Sequence, residues 1–234
     1  MAKPLDLSVG LLACTIYEEY EMHYPQPDGF LALPPNGKGA GVLVLHPWWG
    51  LNDTMRSVCA RLAENGFIAF APDLYHGKVA DTIADAKTLA RGLDSGLAMA
   101  DITAAATFLS RQATPTERGL AVVGFSLGAN YALEFSTTDP DLVHSVVLFY
   151  GTGAGDFSRS RAEYLGHFAE ADDYEPQSEV SALEESLRSA GRPAMFYHYE
   201  GAGHWFFEPD RPEAFDPAAA DLAWERTLAF LKAP

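Results

Sequence analysis

A chain of 234 residues with 48% hydrophobic content is long enough to bury the core of one large α/β domain. Its 32 acidic residues against 16 basic ones give a formal charge of −16, a field that repels phosphate backbones and anionic lipid at long range. Nucleic acid and membrane surfaces are therefore set aside as partners, and no apolar run approaches the roughly 20 residues that span a bilayer.

The first 35 residues mix aromatic and β-branched stretches, "CTIYEEYEMHY" and then "GFLAL", with Pro and Gly between them, and read as an antiparallel edge ribbon. The opening "LDLSVGLLAC" has the look of a short export signal ending at Cys14. Asp6 interrupts that run, so a cytoplasmic protein is expected. Cys14 and Cys59 lack metal-ligand spacing and read as free buried thiols of a reducing compartment. "GVLVLH" (41–46) and "GFIAFAP" (66–72) are short continuous apolar runs, as are "LAVVGF" (120–125), "VHSVVLFY" (143–150), "EYLGHF" (163–168) and "PAMFYHY" (193–199). Such runs mark strands buried on both faces. Helical composition fills the intervals at 54–65, 97–111, 129–136, 178–190 and 218–231. In the first of these, Met55, Val58, Cys59 and Leu62 share one stripe, and Asp53 or Thr54 is placed to cap its start. The alternation predicts a single α/β domain with a mostly parallel central sheet and helices on both faces. Ligands of such sheets sit at the carboxyl ends of the strands.

At one of those ends Gly124-Phe125-Ser126-Leu127-Gly128 matches G-x-S-x-G between a predicted strand and a predicted helix. A turn this sharp puts its middle residue in strained dihedrals and leaves no room for side chains two positions either way, so Ser126 is thrust out above the sheet. A serine hydroxyl is a weak nucleophile unless a base takes its proton. Among seven histidines His204 is best placed, because "GAGHWFF" follows a strand and its glycines let the loop bend back. His144, His167 and His198 lie in or beside strands, and His23 and His76 in loops. The base needs a carboxylate to fix its tautomer, and in "LGHFAEADDYEP" position favours Asp172 or Asp173. The order serine, acid, histidine is that of α/β-hydrolases.

Together these stretches resemble the dienelactone hydrolase family. The likeness runs from "GVLVLHPWWGLND" through "GFIAFAPDLYHGK", "AVVGFSLGANYAL", "VVLFYG" and "LGHFAEADDYEP" to "YEGAGHWF", over about residues 38–232. It implies an α/β-hydrolase fold without a large cap domain, Asp172 as the carboxylate of the triad, and oxyanion donors at the backbone N–H of Trp48 and Leu127. Pro47 has no N–H to offer. The sequence departs from the family's best-known members, whose nucleophile is cysteine and whose neighbouring glutamate aligns with Pro47. The two changes fit each other, since a thiol near pKa 8.5 can be held in one protonation state by a carboxylate, whereas a serine needs only its base. The arginines that hold the family's carboxylate substrate fall at Gly77 and Glu208, and Lys78 offers only a point charge on a flexible stem.

Trp49, Tyr75, Trp205 and Phe206, with Trp48 and Phe207, fall in loops expected around Ser126 and suit an uncharged, partly apolar ester or lactone. The expected function is hydrolysis of such a small molecule through an acyl-enzyme on Ser126, without cofactor or metal. A thioesterase or acyltransferase would use the same residues, and a non-catalytic binding module would keep the fold. A metalloenzyme using His46, His76 and "EADD" lacks any recognised ligand spacing.

Overall fold

The computed structural model describes residues 25–115 and 119–233. Of the expected N-terminal ribbon, residues 1–24, with Cys14 and His23, lie outside the described residues. Its last part forms β1 (Gly29–Ala32). The chain continues through β2 (Gly41–Leu45), α1 (Asp53–Glu64), β3 (Ile68–Pro72), α2 (Ile83–Gly92), α3 (Ser95–Gln112), β4 (Leu120–Phe125) and α4 (Leu127–Thr138). Then come β5 (Val143–Phe149), β6 (Glu163–Ala171), α5 (Gln177–Ser189), β7 (Ala194–Gly203) and α6 (Pro217–Leu231).

The described strands form one seven-stranded sheet in the order β1-β3-β2-β4-β5-β6-β7. β1 runs antiparallel to β3 along the edge, and the other pairings are parallel. From β2 the chain moves to one side for β3 and to the other for β4, so the sheet changes direction between β2 and β4. A crevice opens at the carboxyl ends of the strands at such a point.

The continuous apolar runs become strands because both faces are covered. Alternate residues point to opposite faces. Val42, Val44, Val123 and Val147 join Met55, Val58 and Leu62 of α1 and Ala223 and Trp224 of α6 in one core layer. Leu43, Leu45, Val122 and Leu148 join Ile102 and Ala105 of α3, Ala129 and Ala132 of α4 and Leu183 of α5 in the other. All four side chains of β2 from Val42 to Leu45 are completely buried. Burial on that scale contributes about 1.5–3 kcal/mol per large aliphatic side chain. Cys59 is buried in the first layer, and burial pushes its thiol up to about 12, so it behaves as a small hydrophobe.

Two expectations need correction. The cap of α1 is Asn52, whose Oδ1 accepts from Met55 N at 3.1 Å, because Asn52 is the last residue with extended dihedrals and Asp53 is already helical. The interval after β3 also holds α2, a ten-residue helix with a single fully buried residue, Ala86. Its start is nevertheless written in Thr82, which caps Asp85 N at 3.2 Å and donates its hydroxyl to the Asp85 carboxylate at 2.7 Å.

Candidate active site

Ser126 sits between β4 and α4 with φ 48° and ψ −111°, dihedrals that cost a non-glycine residue about 1–3 kcal/mol. The neighbouring backbone holds it there. Ser126 N donates to Phe149 O at 2.9 Å. A Cβ on Gly128 would come within 2.2 Å of Leu45 O, and one on Gly124 within 2.4 Å of Gly128 O. Both glycines of the pentapeptide are thus required by packing, since α4 must start flush against the end of β2. The four described non-glycine residues with positive φ are His76, Ser126, Tyr150 and Trp205. They follow β3, β4, β5 and β7 respectively, so the backbone strain gathers at the carboxyl edge of the sheet.

His204, just beyond β7, brings its Nε2 to 3.1 Å from Ser126 Oγ. Its Nδ1 lies 2.9 Å and 2.8 Å from the two carboxylate oxygens of Asp172, just beyond β6. Nδ1–H therefore donates to the carboxylate and Nε2 is left as acceptor toward the serine. The side chains of His204 and Asp172 are only 5% and 4% exposed, so water does not dilute this contact. Asp172 Oδ1 also accepts the backbone N–H of Tyr174 and of Glu175, each at 2.8 Å. Asp173, the neighbouring acid, is exposed. The order in the sheet accounts for the convergence: β4, β5, β6 and β7 are successive neighbours, and the loops that follow them share one edge.

Leu127 opens α4, where an amide has no intrahelical acceptor and the helix dipole adds partial positive charge. Trp48 lies in the turn after β2, partly buried. Among the described residues neither backbone N–H has a hydrogen-bond partner.

The aromatic residues separate into two groups. Trp48 meets Tyr174 with ring centroids 5.5 Å apart and Trp205 at 6.1 Å, and Tyr174 meets His204 at 5.1 Å. A groove of about 540 Å³ beside His204 is lined by Tyr174, Trp205, Asp173, Glu213 and Phe215. Of the other residues expected to line a pocket, Trp49 packs behind this cluster, with ring centroids 5.4 Å from Trp48 and 5.3 Å from Trp205, while Tyr75 and Phe206 pack elsewhere. Trp49 is buried beneath the Arg211 guanidinium, 3.7 Å from the ring centroid. Tyr75 lines a separate groove of about 290 Å³ against α2 and α3. Phe206 is fully buried, packed on Tyr150 and Tyr199 at centroid distances of 5.4 and 4.9 Å. A flat ring finds more contact in the core than at a rim, and a loop position alone does not distinguish the two.

Glu208, aligned with a substrate-binding arginine of the family, turns inward. It is completely buried and accepts the Tyr150 hydroxyl at 2.9 Å. Burial, reinforced by the nearby Asp210 charge, raises its carboxyl to about 8. Tyr150 in turn lays its ring 5.0 Å from that of His204. Neither residue's part in this packing was read from the sequence, where Tyr150 is the last residue of an apolar run. No local pattern in the sequence marks that contact, and the adjoining Gly151 answers to a different one, since a Cβ there would meet Ser126 O at 2.5 Å. His167 is a core residue: Tyr199 Oη lies 2.8 Å from its Nδ1 and Thr227 Oγ1 3.0 Å from its Nε2, and burial lowers its pKa to about 3. Among the described residues no three His, Cys, Asp or Glu side chains group as metal ligands, and no helix is long and apolar enough to cross a membrane.

The fold and sequence have known counterparts. Residues 28–234 match the model of the dienelactone hydrolase family. Protein usf of Aquifex pyrophilus is 31% identical over 223 residues, covering 92% of this chain and 96% of its own. The carboxymethylenebutenolidase of Rhodococcus opacus is 31% identical over 216 residues, covering 84% and 82%. The solved structure named m3DLH superposes with a TM-score of 0.77 at 26% identity, covering 86% of this chain and 90% of that one. A dienelactone hydrolase-like promiscuous phosphotriesterase from metagenomic libraries shares the fold, with a TM-score of 0.76 at 22% identity over 86% and 90% of the two chains. With its sheet order, its strained serine corner and a family match over nearly all of its described length, the chain has the α/β-hydrolase fold and belongs to the dienelactone hydrolase family.

Proposed function

We propose that the protein is a serine hydrolase that cleaves a small carboxylic ester or lactone through an acyl-enzyme on Ser126. The observation that carries the reading is the hydrogen-bonded series from Ser126 Oγ through the His204 ring to the buried Asp172 carboxylate, with contacts of 3.1 and 2.8 Å. In that series His204 takes the serine proton as Oγ attacks the acyl carbon, and Asp172 stabilises the imidazolium that forms. The negative charge on the carbonyl oxygen is received by the N–H groups of Trp48 and Leu127, which have no competing acceptor among the described residues. His204 then returns the proton to the departing alkoxide. Water, activated by the same imidazole, releases the acid and restores Ser126. The names of the carboxymethylenebutenolidase relatives support an ester or lactone as the substrate class. The half-exposed Tyr174 and the partly buried Trp48 at the mouth support an uncharged, partly apolar group next to the scissile bond.

The test is covalent. A fluorophosphonate probe should label the native protein at Ser126, and p-nitrophenyl acetate should be cleaved. Ser126→Ala should lose both while unfolding at the native temperature. Full turnover by Ser126→Ala would overturn the assignment, and failure of folded native protein to take the probe would favour a non-catalytic binding role.

A further inference from the structure

His46 is buried at the end of β2, directly before the turn that carries Trp48, and the reaction described above gives it no part. Both of its ring nitrogens are engaged. Leu74 N–H donates to Nε2 at 3.2 Å, so that nitrogen carries a lone pair. The proton must then sit on Nδ1, which donates to Pro47 O at 2.7 Å. Gly50 N–H reaches the same oxygen at 3.1 Å. The Tyr75 ring closes the site, with its centroid 5.1 Å from that of His46. Burial disfavours the charged imidazolium, which keeps the ring in this single tautomer.

The peptide unit matters more than the contact itself. Pro47 C=O and Trp48 N–H belong to one planar group, and no described peptide is cis. In a trans peptide the C=O and N–H vectors are antiparallel. Two donors that hold the oxygen on the His46 side therefore direct the Trp48 N–H to the opposite side. α4 also approaches the end of β2 closely, since a Cβ on Gly128 would lie 2.8 Å from His46 O.

We propose that His46 is a positioning residue for the oxyanion site: its Nδ1–H pins the Pro47 carbonyl and thereby aims the Trp48 amide. The inference rests on the serine hydrolase reading for its effect on rate, but not for its effect on peptide orientation. A free proline-containing turn can rotate its next peptide at little cost, and an amide that must reorient during the reaction forfeits the advantage of a preset donor. The pyrrolidine ring already fixes the φ of Pro47 near about −65°. The rotation that remains is about the Pro47 ψ and Trp48 φ bonds, and the His46 bond restrains it.

Two amide substitutions separate the ring's two contacts. An asparagine side chain places its NH₂ near the Nδ1 position of histidine, whereas a glutamine side chain reaches the Nε2 position. His46→Asn keeps a donor for Pro47 O, and His46→Gln keeps an acceptor for Leu74 N–H. With p-nitrophenyl acetate, His46→Gln should lose roughly 100-fold in kcat, the lower end for removal of one oxyanion donor, with KM little changed. His46→Asn should recover most of that loss. A merely structural role would lower both variants alike, in step with their unfolding temperatures, and that result would overturn the proposal. Crystal structures of the two variants decide the matter independently of turnover. The Pro47–Trp48 peptide should be displaced in His46→Gln and retained in His46→Asn, and retention in both refutes the proposal. If the native protein cleaves no ester and takes no fluorophosphonate, the hydrolase reading fails by itself, and the peptide orientation still tests the inference.

Discussion

Replacing Glu208 by glutamine should change how the protein's stability depends on pH. Glu208 is completely buried, one oxygen accepts the Tyr150 hydroxyl, and its other oxygen, Oε2, has no hydrogen-bond partner among the described residues. Burial raises its carboxyl from 4.5 to about 8, so the folded protein holds a proton there that the unfolded chain gives up above 4.5. Between those limits the native state binds more protons than the unfolded state, and stability falls as pH rises. Below the lower limit both states are protonated, and above the upper one both are ionised, so the loss is confined to that window. The slope is about 1.4 kcal/mol per pH unit, or roughly 3 kcal/mol between pH 5 and 7. Glu208→Gln keeps the volume and the acceptor for Tyr150 but cannot ionise. Its melting temperature should therefore rise relative to the native protein by roughly 6–12 °C across that interval, at about 2–4 °C per kcal/mol for a chain of this size. Paired calorimetric scans at pH 5, 6 and 7 measure the difference, in which every other titrating group cancels. A difference independent of pH would show that Glu208 is ionised in the folded protein and would refute the reasoning.

Asp172→Asn should leave the fold intact but cost about 10⁴-fold in kcat, because an amide no longer enforces the Nδ1–H tautomer of His204. Equal turnover by Asp172→Asn and native protein in an ester assay would remove Asp172 from the mechanism. Asp173→Asn, at an exposed position, should change turnover by less than about threefold in the same assay, within the small effects usual for such surface sites. Gly128→Ala should fail to accumulate as folded protein, or melt far below the native chain, because its Cβ would lie 2.2 Å from the Leu45 carbonyl in a contact between two backbones that cannot both yield. A folded Gly128→Ala of native melting temperature would show that the serine corner is less tightly packed than this distance implies. His204→Ala should abolish p-nitrophenyl acetate cleavage with circular dichroism unchanged, and retained cleavage would point to another base.

Most of the sheet could be read in advance. Strands covered on both faces leave continuous apolar runs, and β2, β4 and β5 are such runs bounded by glycine, proline or polar turns. The serine corner was legible because its G-x-S-x-G pattern between a strand and a helix lies in five consecutive residues, although the crowding that requires Gly128 comes from Leu45 of β2. Helix α2 escaped because its ten residues make a short pattern directly before the longer α3, and only Ala86 among them is fully buried. The aromatic residues were harder still: Trp48 and Phe206 both follow strands, yet one is partly exposed and the other completely buried.

Local pattern determined which segments are strands, where the chain turns sharply, and which residue types with nucleophilic or basic chemistry stand at those turns. Only the tertiary structure decided which of them meet. Asp172 and His204 are separated by 32 residues, and Ser126 and His204 by 78, yet they touch because parallel pairing puts the loops after β4, β6 and β7 on one edge. The same holds for Glu208, whose apposition to Tyr150 spans 58 residues. A carboxyl's charge state depends on what surrounds it in space, and that environment is a product of packing between segments that carry no mark of each other in sequence.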